Sequence, residues 1–279
     1  MFGIILDKNA GMIRPIFSIR TIIILIYLSC KSINCVAQRP MSLEVIIPKI
    51  DSIEIESSML FSFIKAEKSA LEILFKSNLT TRFSSDFRLT YLRGDTLKTI
   101  FISPLDKIVL EINTHNYISK IANQKIRDMH FHEENLLSIK RNALAQITTN
   151  YLKSPLDGFE FCYAMMQWNE KFKIYALETP KGNDKLTITD SYMYTVDDDG
   201  KIINTKSFIH KSRSMTISEN TAAIYIHYDN AQPFIYASDI CLFRLYRRFS
   251  DLDEINVISR RNKRRFTYND IDKRIHIQQ

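Results

Sequence analysis

The stretch Ser191-Tyr-Met-Tyr-Thr-Val-Asp-Asp-Asp-Gly-Lys-Ile-Ile-Asn-Thr-Lys-Ser-Phe208 decides the fold class. Residues 191–196 and 201–208 carry β-branched and aromatic side chains, which suit a pleated, half-buried surface. Between them Asp198-Asp199-Gly200 is turn chemistry, because glycine accepts the positive φ that a tight hairpin needs. Asp197-Asp198-Asp199-Gly200 shares its aspartates with calcium loops. The alternating ligand positions and the distant glutamate of such a loop are absent, so the stretch is read as an antiparallel hairpin.

Working toward the C-terminus, 222–228 alternates in the same way. Ser238 can cap a helix running to about 249. Its Leu242, Leu245, Tyr246 and Phe249 would face inward, with Arg244, Arg247 and Arg248 outward. Segments 255–258, 265–268 and 274–278 read as closing strands. Working toward the N-terminus, 159–166 and 172–178 form a second hairpin around Gln167-Trp168-Asn169-Glu170. Before it, 133–152 is a long helix with a stripe of Leu136, Ile139, Ala143, Ile147 and Tyr151. Ser154-Pro155 ends that helix, since the residue before proline avoids the helical region, and marks a candidate internal boundary.

Segment 116–126 reads as a short helix. Strands are expected at 87–92, 97–102 and 108–112, punctuated by Gly94-Asp95 and Pro104. From Ser57 a helical pattern places Leu60, Phe63, Ile64, Leu71, Leu74 and Phe75 on one face. Segments 43–47 and 53–55 read as short strands. Together these predict an α+β fold: a largely antiparallel sheet with two or three packed helices, in a single domain over 38–279, after a cleaved N-terminal signal segment.

Composition agrees with a folded chain. Of 279 residues, 45% are hydrophobic and 25% charged, ordinary values for a globular protein. Isoleucine occurs 41 times, which favours strands. Only 6 glycines and 7 prolines are present, which argues against glycine-rich phosphate loops and proline-rich linkers. No cofactor motif is present and none is expected.

The export reading comes from residues 1–37. Arg14 and Arg20 lead into the apolar run 21–28, long enough for a signal-peptide core and too short to span a bilayer. Cys35-Val36-Ala37-Gln38 then offers small residues at the positions a signal peptidase reads, so cleavage is expected after Ala37. Met12 is an alternative start. The chain is thus expected to be secreted or periplasmic. A lipoprotein form through Cys30 is the alternative, although Tyr27-Leu28-Ser29 is a poor lipobox. No later apolar run reaches membrane-spanning length.

The Ala37-Gln38 junction and the segment 192–204 resemble those of uncharacterised exported proteins of Bacteroidetes. That resemblance implies an envelope location and no known activity. Of the formal charge of +7, residues 1–37 hold four basic groups and one acidic group, which leaves +4 for residues 38–279. A charge of that size is no nucleic-acid signature, and no nucleic-acid partner is expected.

Several residue groups are candidate sites. His130 and His132 would share a strand face, a spacing some zinc sites use, with a third ligand needed from His115, His210 or His227. The plainer reading of His130-Phe-His132-Glu133-Glu134 is a polar loop entering a helix, with glutamates favoured at its start. Cys162 and Cys241 can form a disulfide in an oxidising compartment or remain buried thiols. Arg260, Arg261, Lys263, Arg264 and Arg265, around Asn262, form the densest charge run. They read as a solvated turn or as a contact to an anionic surface. Trp168 either folds onto the core or presents its ring to a partner.

No nucleophile elbow or His-Glu-x-x-His motif is present. The function expected is therefore a non-enzymatic binding or accessory role in the envelope, with another envelope protein or a surface glycan as partner. The alternative is a secreted hydrolase, metal-assisted through His130 and His132.

Overall fold

The computed structural model of the chain describes residues 40–77, 87–181, 186–208, 214–217, 225–228, 233–247 and 251–279. The expected signal segment, Cys30, His210, Arg248 and Phe249 lie outside the described residues, as does 222–224. Met41–Gln279 forms one compact unit.

It runs α1 (Leu43–Lys76), β1 (Arg88–Arg93), β2 (Thr96–Ile102), β3 (Ile108–His115), β4 (Ile118–Asn123) and α2 (Phe131–Gln146). A π-helical turn, Ile147–Tyr151, leads to β5 (Phe159–Trp168), β6 (Lys171–Pro180), β7 (Leu186–Thr189), β8 (Ser191–Val196) and β9 (Ile202–Phe208). Then come β10 (Ser214–Ile217), β11 (Tyr225–Tyr228), α3 (Ala237–Tyr246), β12 (Glu254–Ser259), β13 (Arg264–Asn269) and β14 (Arg274–Gln278). The chain is an α+β protein. Its sheets have the orders β1-β2-β3-β4, β5-β6-β8-β9, β11-β12-β13-β14 and β10-β7. Every described ladder is antiparallel except β11 with β12, which α3 connects as a crossover.

The first helix is the largest departure from the sequence reading. Residues 43–47 and 53–55 are not strands; they are the opening turns of α1. Ile46, Ile50, Ile53, Ser57, Leu60, Ile64 and Glu67 are buried along it. Their alternating spacing of three and four is a helical stripe. Pro48 lies within the helix on its exposed side. There the carbonyl left without its N–H partner faces water, so the cost of the missing bond falls on a solvated group.

Segment 116–126 is likewise not a helix. Asn116 and Tyr117 both take positive φ, 46° and 64°, the geometry of a two-residue hairpin turn. His115 therefore pairs with Ile118 and the chain returns as β4.

The expected hairpins form in register. Ser191 pairs with Phe208 and Tyr194 with Thr205 across β8–β9. The β5–β6 turn is tighter than expected, at Asn169-Glu170 alone, with Gln167 and Trp168 inside the ladder. One apolar cluster joins Ile46, Leu60 and Ile64 of α1 to Ile240 and Phe243 of α3 and to Val257 and Phe266 of β12 and β13. A second joins Leu136, Ile139, Ala143 and Ile147 to Ile100 of β2 and to Ile174 and Tyr194 of the second sheet. The helix α2 thus packs on two of the four-stranded sheets, β1-β2-β3-β4 and β5-β6-β8-β9, and each aliphatic side chain it buries contributes about 1.5–3 kcal/mol. Tyr151, expected in the same stripe, is 46% exposed at the π-helical turn.

The α3 start also differs from expectation. Tyr236 is its N-cap, and the backbone N–H of Tyr236 donates to the Asp239 carboxylate at 3.0 Å. Ser238 lies inside the helix and is fully buried. Arg244 does not face solvent: its side chain is 7% exposed, lies over the Phe61 ring at 3.9 Å, and stands 3.3 Å from Asp270. Arg247 also reaches Asp270, at 2.6 Å, and pairs with Asp253.

Candidate ligand groove

A groove crosses the molecule where β1, β5, α1 and α2 meet. It is a run of concavities that share walls. One of ≈ 310 Å³ lies between Ser62 of α1 and the Asn116-Tyr117 turn. It shares Met59, Phe63 and Leu92 with a second of ≈ 280 Å³, which adds Tyr91 and Met165. The second shares His132, Leu136, Gln167 and Phe172 with a third of ≈ 550 Å³. The third reaches the β8–β9 turn at Asp198 and Asp199, and shares Ser138 and Asn142 with a fourth of ≈ 420 Å³.

The walls have a clear chemical plan. The middle is apolar, with Met59, Phe63, Leu136 and Phe172. The wider part presents groups of mixed donor and acceptor capacity: the His132 ring, the Asn135 and Gln167 amides, the Ser138 hydroxyl and the carboxylates of Asp198 and Asp199. His132, Asn135, Ser138 and Gln167 are all exposed.

A buried charge network fixes the α2 end of this wall. Glu133, at the third position of α2, accepts from the Tyr91 hydroxyl at 2.6 Å and from two Arg127 nitrogens at 2.8 Å each. It also accepts from the backbone N–H of His130 at 2.8 Å, which closes the helix start. Arg127 continues to Glu111 at 2.8 Å, and Lys98 binds the other oxygen of Glu111 at 2.5 Å. Burial alone would raise the Glu133 pKa. The hydrogen bonds from Arg127, His130 and Tyr91 outweigh it and bring the carboxyl down to about 2. Tyr91 is pushed well above its ordinary value, first by burial and then by its bond to Glu133. At neutral pH Glu133 therefore stays ionised and Tyr91 stays protonated.

The opposite end is docked just as firmly. Asn142 Nδ2 donates to the Asp199 carbonyl at 3.0 Å, and Gln146 Nε2 donates to the Gly200 carbonyl at 2.9 Å. The Asp197 carboxylate accepts the amides of Asp199 and Lys201, at 3.1 and 2.8 Å. The aspartate-rich stretch is thus the hairpin turn that the sequence indicates, and it is seated on α2.

The other candidates fall as follows. His130 is the N-cap of α2 and His132 its second residue, so the two do not share a strand face. His132 is in the groove and meets the Tyr91 ring edge-on at 5.9 Å. His115 is exposed beside Asp95, and the side chain of His227 lies outside the described residues. Among the described residues no three His, Cys, Asp or Glu side chains gather as a metal site. Cys162 and Cys241 are free thiols rather than a disulfide, in the core cluster that α1 and α3 share. Burial raises both, Cys162 to about 12. Trp168 folds back against that cluster, and the Lys173 ammonium lies 4.3 Å from its ring centre.

The arginine run is the β12–β13 turn, with Asn262 buried at its centre and Lys263 at φ 51°. The groove residues Asn135, Ser138 and Gln167 had no signal in the sequence beyond their lying beside apolar positions. Glu133 did: a glutamate three residues after a helix cap is the mark of a closed helix start.

Among the described residues no helix is long and apolar enough to cross a membrane. No protein-family model, no curated protein and no solved structure matches the chain.

Proposed function

We propose that the chain is an exported, non-enzymatic binding protein of the cell envelope, and that its groove takes an extended surface glycan. The observation that carries this reading is the shared walls of the groove at His132, Gln167 and Phe172. They join an apolar strip to a wider stretch of amides, hydroxyl and carboxylates. Sugar rings offer C–H faces to apolar strips, and their hydroxyls both donate and accept. A surface of amides and carboxylates matches that mixture without needing a charged partner. Export is supported by the basic and apolar order of residues 14–28 and by the Ala37-Gln38 junction.

The test is retention of neutral oligosaccharides, prepared from the envelope polysaccharides of the source cell, on the immobilised chain. Retention that falls in Asn135→Ala and Gln167→Ala supports the reading. No retention, or retention indifferent to both changes, overturns it. Terminal sequencing of the protein recovered from cells checks the export claim, with Gln38 as the expected first residue. His132 in the groove is what favours a second reading, metal-assisted hydrolysis. Zinc bound one to one and lost in His132→Ala would replace the first reading with that one.

A further inference from the structure

Arg260, Arg261, Lys263, Arg264 and Arg265 concentrate the positive charge of the body at the β12–β13 turn and the start of β13. Residues 38–279 carry +4, so these five cations account for the whole excess, and the remainder of the body is close to neutral. The turn does not float. Asn262 Nδ2 donates to the Pro233 carbonyl at 2.6 Å, and the Asn262 amide donates to the Ser259 hydroxyl at 3.2 Å. The Met41 amide donates to Asn262 Oδ1 at 3.4 Å. The backbone of the turn is therefore held in place.

Their partners set them apart. The half-buried arginines elsewhere each sit against a carboxylate: Arg88 on Glu67, Arg127 on Glu133 and Glu111, Arg244 on Asp270, Arg247 on Asp270 and Asp253. Arg261, Arg264 and Arg265 are half-buried too. None of the five cations of the turn makes an ion pair among the described residues. Arg265 reaches only the Gln278 amide, and the buried Nε atoms of Arg261 and Arg264 have no acceptor. Five like charges pinned within six residues repel one another, and neutralisation by a multivalent anion would relieve that repulsion.

We propose that the β12–β13 turn docks the protein on an anionic phospholipid surface, with the guanidinium forks of Arg260, Arg261, Arg264 and Arg265 taking lipid phosphates. Four of the five cations are arginines, which suits two-pronged contact with phosphate oxygens. The cluster spans the β12–β13 turn and the first two residues of β13, and a short group of cations of this kind is attracted to an anionic lipid surface.

The experiment is co-sedimentation of the full chain with vesicles of phosphatidylcholine alone and of phosphatidylcholine with phosphatidylglycerol, at low and physiological salt. The readout is the preference for the anionic vesicles over phosphatidylcholine alone. That preference is expected to be at least tenfold at low salt and to shrink with added salt. It should fall about fivefold for each arginine replaced by glutamine at 260, 261, 264 and 265. Arg260→Glu alone, at an exposed position, gives the same direction without disturbing the buried Nε atoms. Equal binding to both vesicle types overturns the proposal, as does a preference that survives all four replacements. Tighter, arginine-dependent binding to a soluble sulfated polysaccharide than to the anionic vesicles overturns it as well.

Discussion

Arg127 and Glu133 meet through two nitrogen–oxygen contacts of 2.8 Å, with the Glu133 side chain 3% exposed and that of Arg127 23% exposed. The pair ties the segment before α2 to the helix start, and through Glu111 to the middle of the β1–β4 sheet. Tyr91 completes it from β1, so the carboxylate that closes the helix also holds a groove wall. A buried pair of this kind is costly to break from one side, because the remaining charge has lost its partner. Arg127→Met removes the cationic partner of Glu133 and leaves Glu111 with Lys98 alone. It is expected to lower unfolding stability by about 3 kcal/mol. Urea denaturation measures this, and a loss under about 1 kcal/mol would show that water takes over the role of the guanidinium.

The same carboxylate predicts an acid limit to stability. In the unfolded chain a glutamate binds its proton near pH 4.3, about its ordinary value, whereas folded Glu133 does so only at about 2. Between those values the unfolded state holds more protons, so stability falls as pH drops. The contribution is complete above the upper value and gone below the lower one. Glu111 and Asp270 are lowered in the same direction by their cationic partners, after burial that acts the other way. The Glu133→Gln variant should start less stable at pH 7 and lose less between pH 5 and pH 2 than the parent chain. Parallel stability curves for the two proteins would contradict this assignment.

What could be read from the sequence follows how local each cause is. The β8–β9 hairpin was legible because Asp198-Asp199-Gly200 and the alternation beside it are all within eighteen residues. The α2 stripe was legible for the same reason. The start of α1 was not: Val45, Ile46 and Ile47 favour strands, and Pro48 reads as a breaker. The long-range burial of Ile46, Ile50 and Ile53 against α3 and the last sheet overrides both. Strand β4 was hidden because Asn116 and Tyr117 both take positive φ, which a tyrosine rarely does. Arg244 was read as outward from charge alone, although Phe61 and Asp270 receive it inside. The groove was the least legible feature, since it exists only where residues from several separated elements converge.

Gly200 offers a sharp test of the docked hairpin. Its φ is +78°, and an added Cβ would stand 2.5 Å from the Ile139 carbonyl oxygen and 2.9 Å from Asn142 Cβ. Gly200→Ala carries the positive-φ penalty, about 1 kcal/mol or more, and it also pushes the turn off α2. The Asn142 and Gln146 bonds to the turn are then lost. A drop in melting temperature larger than that of Gly94→Ala is expected, because Gly94 has a similar φ and open space around it. Equal drops would mean that the α2 contact contributes nothing.

The groove residues should separate binding from folding. The side chains of Asn135 and Gln167 are exposed and make no described hydrogen bond within the protein, so Asn135→Ala and Gln167→Ala should leave the melting temperature within a degree or two. Each should weaken oligosaccharide affinity about five- to tenfold, the size of one lost hydrogen bond. Phe172 is 8% exposed in the second apolar cluster. Phe172→Ala should therefore destabilise the fold by about 3 kcal/mol or more before any ligand is added. Titration calorimetry beside thermal melts distinguishes the two classes. A melting loss in Gln167→Ala comparable to that in Phe172→Ala would make the groove wall part of the core.

The thiols give a prediction about the interior. A thiol reacts as its thiolate, and burial holds Cys162 near 12 and Cys241 higher still. At pH 8 the thiolate of Cys162 is about one part in ten thousand, and Cys241 is closed to solvent as well. Native protein treated with iodoacetamide at that pH should show no labelling at either position within minutes. Denatured protein should be labelled at both without prior reduction, since neither thiol is tied up in a disulfide. Peptide mass mapping reads each position separately from Cys30 and Cys35. Labelling at Cys162 only after reduction would show that the two thiols had paired. Fast native labelling would show that the packing between α1, α3 and β5 opens far more often than its buried apolar contacts allow.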